Sequence, residues 1–210
     1  MNRKFIILSL LMLLVLISGC FEYEDVITIE KDYSGTLSVH YRSLKDSNMN
    51  WNGMKFPKEK ESILEEVKKN YTSEHVKLIR FRVKERDKYQ HVYFDVKFDR
   101  LTDLNEIRQF ADSHISLAKL NSNVIHFKRV IEFDEDEKDE DDESELSRLV
   151  ISLLEESIFD KIKFRFEVNF PEEMHHTNAN WEQDSRHGVW KYTLSDFIGD
   201  KKIVMTAQSK

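Results

Sequence analysis

Two periodicities take turns along this chain from Phe21 onward. One has every second residue apolar, as in a half-buried strand, and the other has apolar residues three and four apart, as on a helix face. Val26 to Glu30 and Thr36 to Arg42 predict a hairpin around Asp32-Tyr33-Ser34-Gly35, a turn with a glycine in it. Leu37, Val39 and Tyr41 then face one side, and Ser38, His40 and Arg42 the other. Residues 43 to 57 read as an aromatic loop, with Asn48, Asn50, Asn52, Gly53 and Pro57 around Trp51 and Phe56. Near Pro57, a residue tolerated in a first turn, a helix is predicted, with Ile63, Leu64, Val67 and Tyr71 as its stripe.

The next hairpin is the clearest. Ile79, Phe81 and Val83 alternate with Arg80, Arg82 and Lys84; after a turn at Glu85 to Tyr89, Val92, Phe94, Val96 and Phe98 alternate with Tyr93, Asp95 and Lys97. A helix is predicted from Asp103, with Glu106 placed for a capping box and Leu104, Ile107, Phe110 and Ala111 buried. Ile115 to Leu120 and Val124 to Phe133 form a third strand pair, and Leu146, Leu149, Val150, Leu153, Leu154 and Ile158 a third helix. Lys161 to Phe170 is a strict alternation ended by Pro171. Residues 172 to 188 read as a loop, and Val189 to Leu194 with Lys202 to Ala207 as a closing hairpin.

The layout is three ββα units followed by three strands. Strands with one dry face need a cover, and the three amphipathic helices supply it. The expected class is α+β, with mostly antiparallel sheet and about three helices over one face. The expected organisation is a leader over 1–19, a short tether over 20–25, and one domain over 26–210 with an acidic loop at 134–145.

The leader changes the picture most. Arg3 and Lys4 precede an apolar stretch from Phe5 to Ile17, and Ser18 and Gly19 are small residues before Cys20. That stretch is shorter than the roughly 20 apolar residues a helix needs to span a bilayer. Ile17-Ser18-Gly19-Cys20 looks like a lipobox, in which the cysteine thiol accepts a diacylglyceryl group. Cys20 is the only cysteine, so an internal disulfide is excluded and lipidation accounts for the lone thiol. Two or three acyl chains hold a protein firmly where one does not. The expectation is a membrane anchor on Cys20 and a place in the cell envelope. That place is the outer membrane where the organism has two membranes, and the outer face of the cytoplasmic membrane where it has one.

Removing Arg3 and Lys4 takes the formal net charge from −7 to −9. Asp134 to Glu145, with ten carboxylates and one lysine, accounts for all of it. The remainder is near neutral, which argues against nucleic acid as a partner, since phosphate binding needs a basic face.

Several features together resemble the LppM-like family of bacterial envelope proteins: Glu22, Glu24 and Asp32-Tyr33-Ser34-Gly35 near the start, then Val168-Asn169-Phe170-Pro171, Thr177-Asn178 and Val189-Trp190. The resemblance implies an envelope-tethered α+β domain that handles lipid or glycolipid. Glu172 stands after Pro171 where many members carry glycine, and no catalytic residue carries over.

Candidate chemistry is sparse. His175, His176 and His187, with Asp184, are weak candidates for zinc or copper, since adjacent histidines on an extended chain point apart. The acidic run lacks the glycine and ligand spacing of an EF-hand. Phenylalanines at 81, 94, 98, 127, 133, 164, 166 and 170 could line an acyl cavity, though alternating strand aromatics are more often core. Trp51 and Trp181, in expected loops, could form a binding rim. No nucleophile elbow, P-loop or dinucleotide fingerprint occurs. The reading is a non-enzymatic binding or scaffolding lipoprotein without a cofactor, its partner a lipid, a glycolipid or another envelope protein. A lipid carrier and a metal-dependent hydrolase are the alternatives.

Overall fold

The computed structural model describes residues 21–45, 50–51, 54–55, 57–111, 113–121, 124–132, 161–200 and 202–209. Cys20, the acidic run, Phe133 and the helix expected over 146–158 lie outside them.

A seven-stranded sheet is the larger layer. Its strands are β1 (Glu22–Ile29), β2 (Gly35–Leu44), β5 (Val76–Arg86), β6 (Tyr89–Phe98), β9 (Lys163–Asn169), β11 (Trp181–Asp184) and β12 (His187–Thr193), in the order β11-β12-β9-β1-β2-β6-β5. Every pairing is antiparallel except β1 with β9, at the centre. The second sheet holds β7 (Ser113–Asn121), β8 (Val124–Glu132), β10 (Met174–Thr177) and β13 (Lys202–Ser209), in the order β10-β13-β8-β7. A two-residue ladder joins β3 (Asn50–Trp51) to β4 (Met54–Lys55), within the stretch expected to be loop.

Alternation along β1 and β2 places Tyr23, Ile27, Leu37, Val39 and Tyr41 on a buried inner face. The second sheet covers one part of that face, where the Phe127 ring meets Phe170 and Trp190 at 5.7 and 6.4 Å. Helix α1 (Lys60–Tyr71) covers another part, burying Ile63, Val67 and Tyr71, with the Tyr71 ring edge-on to Phe94 at 4.6 Å. Helix α2 (Leu194–Asp200) closes the β9–β12 side, where Phe197 meets Phe164 at 4.7 Å.

Gly35 serves the first hairpin in an unexpected way. The left-handed residue of the turn is Tyr33, at φ 66°, braced by Asp32, whose Oδ1 accepts from the Ser34 amide at 3.0 Å. A side chain at Gly35 would meet the Thr28 carbonyl oxygen at 2.0 Å and the Phe98 ring at 2.8 Å, so glycine is required there for close approach.

Several expectations need correction. The helix expected from Asp103 is two 3-10 turns, Leu101–Glu106 and Arg108–Phe110. The Asn105 amide bonds both backbone groups of Ile115, at 2.7 and 2.8 Å, and so ties the segment to β7. Asp103 makes the capping box with Arg100, while Glu106 instead accepts from the Ser73 hydroxyl at 3.0 Å. Leu104, Ile107 and Phe110 are buried as expected, but Ala111 is exposed.

The loop expected over 172–188 contains β10 and β11, edge strands of the two sheets whose exposed faces leave no apolar alternation to read. The closing hairpin does not form: β12 and β13 belong to different sheets with α2 between them. The signal for α2 is Thr193-Leu194-Ser195-Asp196, in which the Asp196 carboxylate accepts from the Thr193 amide at 2.6 Å and its hydroxyl at 3.0 Å. The ββα repeat therefore dissolves into two facing sheets. The tether expected over 20–25 is also shortened, because Glu22 to Asp25 are already paired strand.

Candidate functional site

The outer face of the large sheet carries rows of polar side chains, one from each of six strands. One row runs Lys191, Arg165, Glu24, His40, Tyr93, Arg82 across β12, β9, β1, β2, β6 and β5. The next runs Thr193, Lys163, Glu22, Arg42, His91, Lys84. Between them lies an open groove of about 540 Å3, bordered by Glu22, Glu24, His40, Lys163, Arg165 and Lys191, with Asp196 at one end.

The charges of this groove interlock. Arg165 bridges Glu24 and Glu167, at 2.5 Å to the latter, and Arg42 Nη2 donates to Glu22 at 2.8 Å. His40 Nδ1 lies 3.8 Å from Glu24, and its Nε2 is 3.2 Å from His91 Nδ1. The His40 ring stacks flat on Tyr93 at 4.2 Å and 1°. The neighbouring His40, aided by the Arg165 charge, holds the Glu24 carboxyl below its ordinary pKa against the cost of burial. His91 is held below its ordinary value by burial first, then by His40 and Arg42. Such a surface offers both signs of charge at fixed spacing, which suits recognition of a polar partner.

A second polar cluster lies inside. Arg129 of β8 donates through Nη1 to both Asp25 carboxylate oxygens, at 3.0 and 2.9 Å, and through Nε to the Ser113 hydroxyl at 3.2 Å. Its guanidinium sits over Phe110 at 4.5 Å and Phe166 at 4.8 Å. The Tyr23 hydroxyl reaches Asp25 at 3.4 Å and Tyr71 at 3.2 Å. Burial pushes the Asp25 pKa up, with Arg129 pulling against it, and burial also pushes Tyr23 and Tyr71 up.

Sequence reasoning passed over this pair, although it left a signal. Asp25 stands in phase with Tyr23, Ile27 and Ile29, and Arg129 in phase with Phe127 and Ile131. Opposite charges each occupying an apolar phase point to a buried partnership.

The predicted candidates scatter. Trp181 lies on edge strand β11, about half exposed, with Lys191 Nζ 3.2 Å above its ring; the Trp51 side chain is outside the described residues. His175 and His176 are exposed on β10, beside a smaller groove with Val124, Gln208 and Ser209. His187 opens β12 and pairs with Asp184. Among the described residues no group of three or more His, Cys, Asp or Glu side chains is placed to hold a metal ion. Nor, among them, is any helix long and apolar enough to cross a membrane.

Two facing, mainly antiparallel sheets with few helices define the class as a mixed α+β domain of predominantly sheet. Within that class the chain belongs to the LIC11874-like family, whose model matches residues 15–196. No curated protein matches. Among solved structures, the folded domain of LppM from Mycobacterium tuberculosis, determined by NMR, superposes with a TM-score of 0.49 and 14% identity, covering 92% of this chain and 91% of that one. At that likeness no residue role transfers.

Proposed function

We propose that this protein is a lipid-anchored envelope module that binds or scaffolds a partner through its folded body and performs no catalysis. The observation that carries the reading is the junction at Cys20. Phe21, the next residue, is fully buried, and Glu22 already opens β1. Paired strand is thus already in place two residues after the cysteine that lipobox cleavage would leave as the new N-terminus. An acyl chain on Cys20 would hold the start of the central strand against the membrane with almost no linker. The stretch matched by the family model also includes Ile17-Ser18-Gly19-Cys20.

The binding role rests on the outer groove, whose paired charges present a fixed polar pattern without needing to be rebuilt on contact. The lipid-carrier alternative gains nothing from Phe94, Phe98, Phe127, Phe164, Phe166 and Phe170, all buried in the common core.

Intact-mass spectrometry of the protein extracted from membranes tests the anchor. The expected species is residues 20–210 carrying a diacylglyceryl group on Cys20, and conversion to Ser should abolish it. Protein in the cell interior that still begins at Met1 would overturn the proposal.

A further inference from the structure

Edge strand β5 carries a cation at each outward position over its second half. Arg80, Arg82, Lys84 and Arg86 lie opposite Asp95, Tyr93, His91 and Tyr89 of β6, and Lys88 follows in the turn. All five cations are exposed. Arg80 pairs with Asp95 at 2.5 Å, and Glu85 is taken by Lys45 at 2.7 Å. Among the described residues Arg82, Lys84, Arg86 and Lys88 have no carboxylate within ion-pair distance.

Two half-buried tyrosines lie between these cations. Lys84 Nζ is 5.5 Å from the Tyr93 ring centre, Lys88 Nζ is 5.4 Å from that of Tyr89, and Arg42 covers Tyr89 at 4.6 Å. In a chain of formal charge −7, four cations without an ion-pair partner among the described residues, with Asp87 as the one carboxylate between them in the turn, form with two tyrosines a distinct surface. Charges on an edge strand also discourage pairing with other chains. That role does not call for the tyrosines, nor for the stripe to lie at the end of the sheet where the chain enters. From Glu22, two residues after Cys20, the row continues through Arg42 and His91 to Lys84. Three strand spacings put Lys84 roughly 15 Å from the start of β1. The opposite end of the sheet mixes the two signs, with Glu30, Asp32 and Asp99 beside Lys31, Lys97 and Arg100.

We propose that the β5–β6 hairpin docks on a membrane surface of anionic phospholipid headgroups, with Arg82, Lys84, Arg86 and Lys88 meeting phosphates and Tyr89 and Tyr93 at headgroup depth. Cationic side chains are drawn to such a surface, and tyrosine prefers that interface. The contact deepens the anchor reading and relies on it only for orientation: acyl chains tether the start of β1, and the hairpin sets the tilt.

The test uses the protein extracted from membranes, mixed with vesicles of phosphatidylcholine alone or with added phosphatidylglycerol. Hydrogen exchange of amides 82–90 is expected to slow only with phosphatidylglycerol and to recover at high salt, with amides 30–34 unchanged. Each cation removed in the series Lys84→Gln, Arg86→Gln and Lys88→Gln should weaken the electrostatic contact about fivefold at low salt. Lys84→Arg with Lys88→Arg should keep it. Flotation separates this proposal from the anchor. Flotation with both vesicle types but equal exchange in each leaves the anchor standing and overturns docking. Flotation with anionic vesicles alone, lost in salt, supports docking and overturns the anchor. Flotation with neither overturns both.

Discussion

Arg129 Nη1 touches both oxygens of Asp25, at 3.0 and 2.9 Å, and so ties β8 of the smaller sheet to β1 of the larger one. Both side chains are almost wholly buried, at 3% and 0% exposure. Removing either partner strands a charge in the core. Asp25→Leu or Arg129→Met alone should therefore cost about 3–5 kcal/mol. Asp25→Leu combined with Arg129→Met should cost less than the two single changes summed, because no lone charge remains. Urea unfolding of the four proteins closes the cycle. A double variant as unstable as the sum would show that the pair is not coupled.

Much of the fold was legible because one face of each central strand is dry. The β5–β6 hairpin, the start of α1, and the pairing of β7 with β8 all follow from residues such as Phe94, Ile63 and Phe127 recurring in phase. Legibility failed where tertiary contacts decide. Asn105 spends its amide on the Ile115 backbone, which replaces an expected helix with 3-10 turns, and β10 and β11 sit at sheet edges with little apolar face to betray them. Nor could spacing show that Lys163 and Glu22, 141 residues apart, lie side by side through the one parallel pairing. The groove depends on that pairing.

Gly35 should tolerate no side chain. Its Cβ would overlap a backbone oxygen of β1, which cannot move without breaking the register of β1 on β2. Gly35→Ala is expected to cost roughly 2–4 kcal/mol, at the severe end for a single methyl. Denaturant unfolding measures it, and a change under about 0.5 kcal/mol would mean that the hairpin relaxes freely.

The two tryptophans of the β11–β12 hairpin should behave oppositely. Trp190 is fully buried, and its indole N–H donates to Asn178 Oδ1 at 2.9 Å, so Trp190→Ala should cost about 3–5 kcal/mol. Trp181 is about half exposed and engages Lys191, a contact of about 0.5–1 kcal/mol at such sites. If Trp181→Ala leaves stability nearly intact but lowers affinity for a partner once one is identified, it belongs to the binding rim. A stability loss as large as that of Trp190→Ala would make it a structural residue.

Acidification should destabilise the protein in two separate stages. The folded protein holds His91 below the ordinary imidazole value of 6.5, chiefly through burial and the neighbouring His40. As pH falls through about 6.5 the unfolded chain takes up this proton first, so stability that is full above that value is lost down to the folded pKa. Glu24 is held below its ordinary 4.5 by His40 and Arg165, so its contribution is present above that value and lost as pH falls through the folded pKa. Both changes have the same sign but occupy different windows. His91→Asn should flatten the fall in Tm between about pH 7 and 5 while keeping the fall below about 4.5. Glu24→Gln should do the reverse, at the cost of leaving Arg165 with Glu167 alone. A thermal-melt series across this range decides it: an unaltered upper slope in His91→Asn would remove His91 from the account.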